Sequence, residues 1–250
     1  MSDVSDKGPE GQNPERLIPH FESVDTLQWH LTEVFGERNA IYLPDRRSRI
    51  ELLNLGVSEL IAARRLEDTD KITTTFARIG ARIFCIANGV NNVPLSRGLE
   101  MKYPLSGCVY CGNSPCQCTE TRPAARLNYN YGGEQSTWDL RTWQDYLGHL
   151  YGGVNAAKGL DYTLSRLFAE CSEVTVTEYR IPKMKIPEIY EEYSLELADV
   201  TAWTLAAANI MGVDLQSAIE DRYGRGCATC GLTQCKCNTE QFDHVYDGLN

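Results

Sequence analysis

The chain has 250 residues, 42% of them apolar, enough to bury the core of one or two domains and to exclude global disorder. Its formal net charge of −10 opposes broad adhesion to nucleic acid or anionic membrane. No apolar run approaches the ~20 residues of a membrane span, and the start MSDVSDKGPEGQNPER has no apolar secretory core. A cytoplasmic protein is expected.

Residues 1–20 are polar and read as a disordered arm. From Phe21 the apolar spacing is near 3.6 and strand-like alternation is scarce, so TLQWHLTEVFGERN, RSRIELLNLGVSELIAARR, ITTTFARIGARIFCIANGV and VPLSRGLEMKYP are predicted helices. They lead into a first cysteine cluster, which closes a unit spanning 21–118. A polar, glycine-containing linker follows over 119–136.

Over 137–237 the pattern starts again. LRTWQDYLGHLYGGVN echoes LQWHLTEVFGERN, LSRLFAECSEV echoes LLNLGVSELI, and AANIMGVDLQSAIEDRYGRGC resembles IANGVNNVPLSRGLEMKYPLSGC. A second cysteine cluster stands 119 residues after the first, Cys227 against Cys108. This period predicts an all-α fold of two tandem repeats packed about a pseudo-twofold axis, as two copies would pack in a homodimer. Such pseudo-dimers could pair further into a homo-oligomer. Residues 238–250 form a tail.

Both clusters, Cys108, Cys111, Cys116 and Cys118, then Cys227, Cys230, Cys235 and Cys237, have the spacing C-x2-C-x4-C-x-C. Four thiolates around a C-x2-C-G turn suit structural Zn²⁺ and leave no open coordination position, so both clusters are assigned to folding. Thiolates also bind iron–sulfur clusters, and nothing in the spacing selects against one. Cys85 and Cys171 sit in apolar helical contexts and are expected in the core.

Four acids stand out in the second repeat: Glu170 and Glu173, then Glu196 and Asp199. Each pair is spaced i, i+3 and so shares a helix face. Exposed faces often carry such pairs, but these are embedded among Leu167, Cys171, Val174, Leu197, Val200 and Trp203, where carboxylates need a partner. Two such faces set together supply the oxygen ligands that Mg²⁺ prefers. In the first repeat Gly56 stands opposite Glu170, TTTFARIGAR has no acid, and Glu59, opposite Glu173, is expected to face solvent.

The order E-x-x-E, 22 residues, E-x-x-D, then an apolar helix ending AANIMGVDLQSAI resembles the MazG-type all-α nucleoside triphosphate pyrophosphatases, relatives of the dimeric dUTPases. Ala169 departs from that pattern, which often has a further Glu there. The resemblance implies Mg²⁺ held by Glu170, Glu173, Glu196 and Asp199, and cleavage of a (d)NTP to (d)NMP and pyrophosphate. Lys158, Arg166, Arg180, Lys183 and Lys185 are candidates for the phosphates, and Asn209 for the sugar or base. Trp29, Trp143, Tyr146 and Asn155 are candidates for the base, since aromatic faces and amides recognise bases. Lys102-Tyr103-Pro104 resembles a family segment that approaches the nucleotide. Two other readings stay open: an inactive MazG-like zinc protein that binds nucleotides or partner proteins, and a zinc-dependent nucleic-acid binder, which the acidic charge and the lack of basic aromatic runs oppose.

Overall fold

The computed structural model describes residues 19–90, 93–118, 134–181 and 184–238. Nearly all of the N-terminal arm, most of the 119–136 linker and all but the first residue of the 238–250 tail lie outside the described residues. Those described form seven helices: α1 (Val24–Tyr42), α2 (Arg46–Arg65), α3 (Thr69–Gly89), α4 (Leu95–Lys102), α5 (Leu140–Arg180), α6 (Ile186–Met211) and α7 (Leu215–Tyr223). A 3-10 turn covers Glu134–Thr137, and no strand occurs among the described residues.

Short polar residues start most of these helices. Ser23, Asp45, Asp68, Asp139 and Asp214 each accept a hydrogen bond from the backbone N–H three residues on, satisfying a donor the helix itself cannot. Gly159, at φ 82° and ψ 172°, interrupts α5 and divides it into an opening segment and an acid-bearing one. A full break separates α1 from α2 at the matching stage of the first unit.

Helices α3 and α6 occupy the middle. α3 packs against α1, α2, α6 and α7, and α6 against α3, α4 and α5. The fully buried Phe76, Ile79, Ile83, Leu197, Val200 and Leu205 fill the space around them. Burying one such side chain contributes about 1.5–3 kcal/mol, so this seam is the main apolar source of stability.

The polar contacts recur in two matching sets. The Gln28 amide donates to Asn88 Oδ1 and the Val93 carbonyl, while its oxygen accepts from the Leu95 N–H. Gln144 does the same with Asn209, Val213 and Leu215. The cysteine loops dock reciprocally: Cys116 N–H donates to the Leu150 carbonyl at 2.8 Å, and Cys235 N–H to the Val34 carbonyl at 2.7 Å. Likewise α4 lies on α6 and α7 on α3. The last helix before the first cysteine loop thus packs on α6, and the last helix before the second packs on α3.

One close approach governs the site. A Cβ at Gly98 would stand 2.1 Å from the Ser194 backbone oxygen, so α4 can press onto α6 only with glycine there. One turn later α4 delivers Lys102 and Tyr103 to Asp199.

Candidate functional site

Three of the four predicted acids converge. Glu170 from α5 and Glu196 and Asp199 from α6 each offer an oxygen within 4.8 Å of the others. Magnesium bonds of ~2.1 Å require cis ligands only ~3 Å apart, so the three oxygens would have to draw together to share one ion. Glu173 is not part of the triad: it is exposed and lines the same cleft from the rim. The expected quartet is thus three converging carboxylates and one exposed one.

The triad is electrostatically tense. Burial raises the Glu170 carboxyl, Asp199 raises it further, and Arg166 opposes both. Burial pushes Glu196 up to about 7, against the pull of Lys102. One Glu196 oxygen, Oε2, is buried with no hydrogen-bond partner, an arrangement that a cation would relieve. The other two acids have cationic partners: Arg166 pairs with Glu170 one helical turn away, and Lys102 with Asp199. The Tyr103 hydroxyl donates to Asp199 at 2.6 Å. Helix α4, from the first unit, thereby completes the site of the second.

Glu170, Glu173 and Asp199 line a cleft of about 320 Å³, and Glu196 adjoins it without lining it. Lys158 and Asn155 line it, together with Lys102, Tyr103, Tyr151, Arg166 and Trp203. Lys158 lies over the Tyr162 ring and Arg166 over the Trp203 ring. The sequence had Lys102-Tyr103 in view but gave no sign that the segment crosses to the opposite unit. The sequence sets Trp203 among the apolar residues around the acids and carries no signal for Tyr151; both line the cleft.

Other predicted residues lie elsewhere. Trp143 is 0% exposed and packed edge-on between Trp138 and Tyr146, so it is core and not a platform for a base. Tyr146 spends its hydroxyl on the Pro104 carbonyl, 2.6 Å away. Trp29 is exposed and does not line the cleft. Asn209 is engaged in the Gln144 latch. Arg180 is exposed and pairs with Glu192 at 3.4 Å, and Lys185 stands before α6, where its N–H donates to Glu188. Lys183 lies outside the described residues. Arg180 ends α5 and Lys185 precedes α6, so both stand at the ends of these helices away from the acids.

Glu59 does not face solvent. It is 3% exposed, with Arg78 at 3.4 Å and Arg82 at 3.9 Å. Counting back from the latching asparagines, Arg78 occupies the position of Asp199 and Arg82 that of Trp203. Where the second unit gathers acids, the first has internal counter-ions.

The cysteines gather into the two expected groups of four, each with sulfurs within 4.8 Å. Cys108 Sγ lies 3.7 Å from Cys118 and 3.4 Å from Cys116, and Cys227 lies 3.8 Å from Cys237. Tetrahedral zinc with ~2.3 Å bonds places its sulfurs ~3.8 Å apart, so both groups fit the ion. Desolvation raises the Cys111 thiol, but the Gln117 and Asn113 N–H groups outweigh it and bring it down to about 6. Lys236 and Leu232 do the same for Cys230, also to about 6. Thiolates so stabilised are ready ligands. Gly107 and Gly226 open the two loops at φ 113° and 122°, where an added Cβ would strike backbone. Cys85 and Cys171 are buried in the core.

No family model, curated protein or solved structure matches the chain. No helix among the described residues is long and apolar enough to cross a membrane.

Proposed function

We propose that the protein is a Mg²⁺-dependent nucleotide pyrophosphohydrolase that cleaves a (d)NTP to (d)NMP and pyrophosphate. In this reading it is a MazG-like tandem duplication whose halves pack as a pseudo-dimer, with zinc in both cysteine clusters. The observation that carries it is the meeting of Glu170, Glu196 and Asp199, the first and last of which line a cleft, with Glu196 Oε2 buried and unpartnered. Three carboxylates this close repel one another unless a cation or protons intervene. The matching glutamine latches, the reciprocal cysteine-loop contacts and the exchange of α4 and α7 support the duplication.

Glu170, Glu196 and Asp199 would hold the metal. When bound, Mg²⁺ neutralises charge on the triphosphate and acidifies a water. Lys102 and Arg166 would pass from their carboxylates to phosphate oxygens once the metal takes those carboxylates. Glu173, at the rim, would orient the attacking water and accept its proton as the water oxygen bonds to the α-phosphorus and the bond to the β-phosphate breaks. Trp203, Tyr151 and Asn155 would flank the nucleoside. In the absence of covalent catalysis, positioning and charge supply the rate.

Lys102 and Arg166 already neutralise two of the three acids, which favours a second reading: an inactive relative that binds nucleotide without turning it over. Incubation with each (d)NTP and Mg²⁺ separates the two. Release of pyrophosphate and monophosphate in equal amounts, lost in Asp199→Asn, supports the enzyme. Binding with no pyrophosphate supports the inactive module.

A further inference from the structure

We infer that the loop Cys108–Cys118, folded on its own metal, is the wall of the cleft that meets the nucleobase, so the first cysteine cluster sets nucleotide affinity and the second does not. The inference rests on the pyrophosphohydrolase reading above. It begins from position: Cys108, Val109, Tyr110, Cys116 and Cys118 line the same cleft as Glu170, Glu173 and Asp199. A structural zinc loop need not touch a substrate cleft, and this one supplies a stretch of its wall.

A path of contacts joins the acids to the loop. Asp199 accepts from the Tyr103 hydroxyl, the Tyr103 ring meets Tyr151 edge-on at 6.1 Å, and the Tyr151 hydroxyl lies beside Cys108. Along that path the lining changes character. Lys102, Arg166 and the carboxylates surround the end suited to metal and phosphates; Val109, Tyr110, Tyr151 and Val154 supply apolar and aromatic surface beyond it. Asn155 adds an amide that can donate to and accept from a base edge. A nucleotide is charged at one end and flat and aromatic at the other, and the cleft matches both ends in that order.

The loop is held as a wall should be. Four cysteines tie its ends, and the Cys116 N–H fixes it to the Leu150 carbonyl, one residue before Tyr151. The second cluster is held the same way at Val34, with Arg38 3.9 Å from Cys235, but it lines no part of this cleft. Two equivalent folding devices therefore differ in whether substrate reaches them.

The test uses the full zinc-loaded chain in Mg²⁺, with α,β-methylene dNTPs and inorganic tripolyphosphate as ligands in equilibrium dialysis. Bound zinc is counted by elemental analysis. Tyr110→Ala keeps all four ligands and should weaken the preferred dNTP about tenfold, the worth of a lost base contact, with tripolyphosphate within about twofold. Cys118→Ser should lose one zinc and show the same pattern. Cys237→Ser should also lose one zinc while its dNTP affinity stays within about twofold. The wall is overturned if Tyr110→Ala leaves dNTP affinity intact or weakens both ligands alike, or if the two cysteine variants weaken dNTP binding equally. In those cases normal tripolyphosphate binding by the wild type leaves the pyrophosphohydrolase reading standing. A wild type that binds neither ligand overturns both.

Discussion

The contrast between Glu59 and Glu170 shows how one helical arrangement can be turned to opposite ends. Glu59 and Glu170 are both 3% exposed, each on the helix that follows its unit's opening segment. Around Glu59 the neighbouring α3 supplies Arg78 and Arg82, whose charges oppose its own, although neither Glu59 oxygen has a hydrogen-bond partner. Around Glu170 the neighbouring α6 supplies Glu196 and Asp199; Arg166 pairs with Glu170 and Lys102 with Asp199, while burial lifts Glu196 to about 7 and leaves one of its oxygens without a partner. A site that is stable alone has little use for a ligand. One that accumulates like charge in a low dielectric stores a demand for a cation.

That contrast can be broken most sharply at Glu196. Glu196→Gln should cut pyrophosphate release about 10³-fold, while the melting temperature without divalent ions stays level or rises, because a costly buried charge is gone. A fall in both would mean that Glu196 is structural. Glu59→Gln should do the reverse. Leaving Arg78 and Arg82 buried and unpaired should cost about 3 kcal/mol of stability in denaturant titrations, with turnover per folded molecule unchanged. Gly98→Ala should lower turnover by forcing α4 off α6 and drawing Lys102 and Tyr103 from Asp199; a compensating Ser194→Ala would not restore it, since the clash is with backbone.

A smaller effect sharpens the comparison through pH. Glu170 and Glu196 have folded-state values above their unfolded ones, so between about 4.5 and 7 the native state binds more protons. Without divalent ions, stability contributed by these groups is present at low pH and falls as pH rises through that window. Millimolar Mg²⁺ should flatten the decline, and more so in the wild type than in Glu196→Gln, as melting curves at pH 5, 6 and 7 would show. The smallest effect belongs to surface pairs: breaking Lys236–Glu37, half-exposed on both sides, should cost less than about 1 kcal/mol.

Much of the fold was legible in the chain because helical periodicity and turn chemistry are local. The 3.6 spacing and the cysteine spacing act over a few residues and appear in the structure as read. Gly159 was harder, since a lone glycine inside a periodic segment does not announce a break. The site was legible where it too was local: i, i+3 spacing set Glu170 against Glu173 and Glu196 against Asp199. Which member of a pair turns inward depends on the partner helix, and so Glu173 was grouped with three acids that it does not join. The cations were misjudged for the same reason. Arg180 and Lys185 are near the acidic helices in sequence but at the wrong end of them, while Lys102 is about a hundred residues from Asp199 and touches it. Trp143 illustrates the ambiguity of helical aromatics, whose spacing is the same in a core and in a cleft.

The claim beneath all of this is that the acids of the second unit bind a divalent cation and Glu59 of the first does not. Manganese, a spin-active substitute for magnesium, allows it to be tested by titration with electron paramagnetic resonance. The account predicts that wild type and Glu59→Gln bind Mn²⁺ with equal affinity, and that Glu196→Gln and Asp199→Asn bind it at least about tenfold more weakly. Undiminished binding by Asp199→Asn, or none by the wild type, would contradict it.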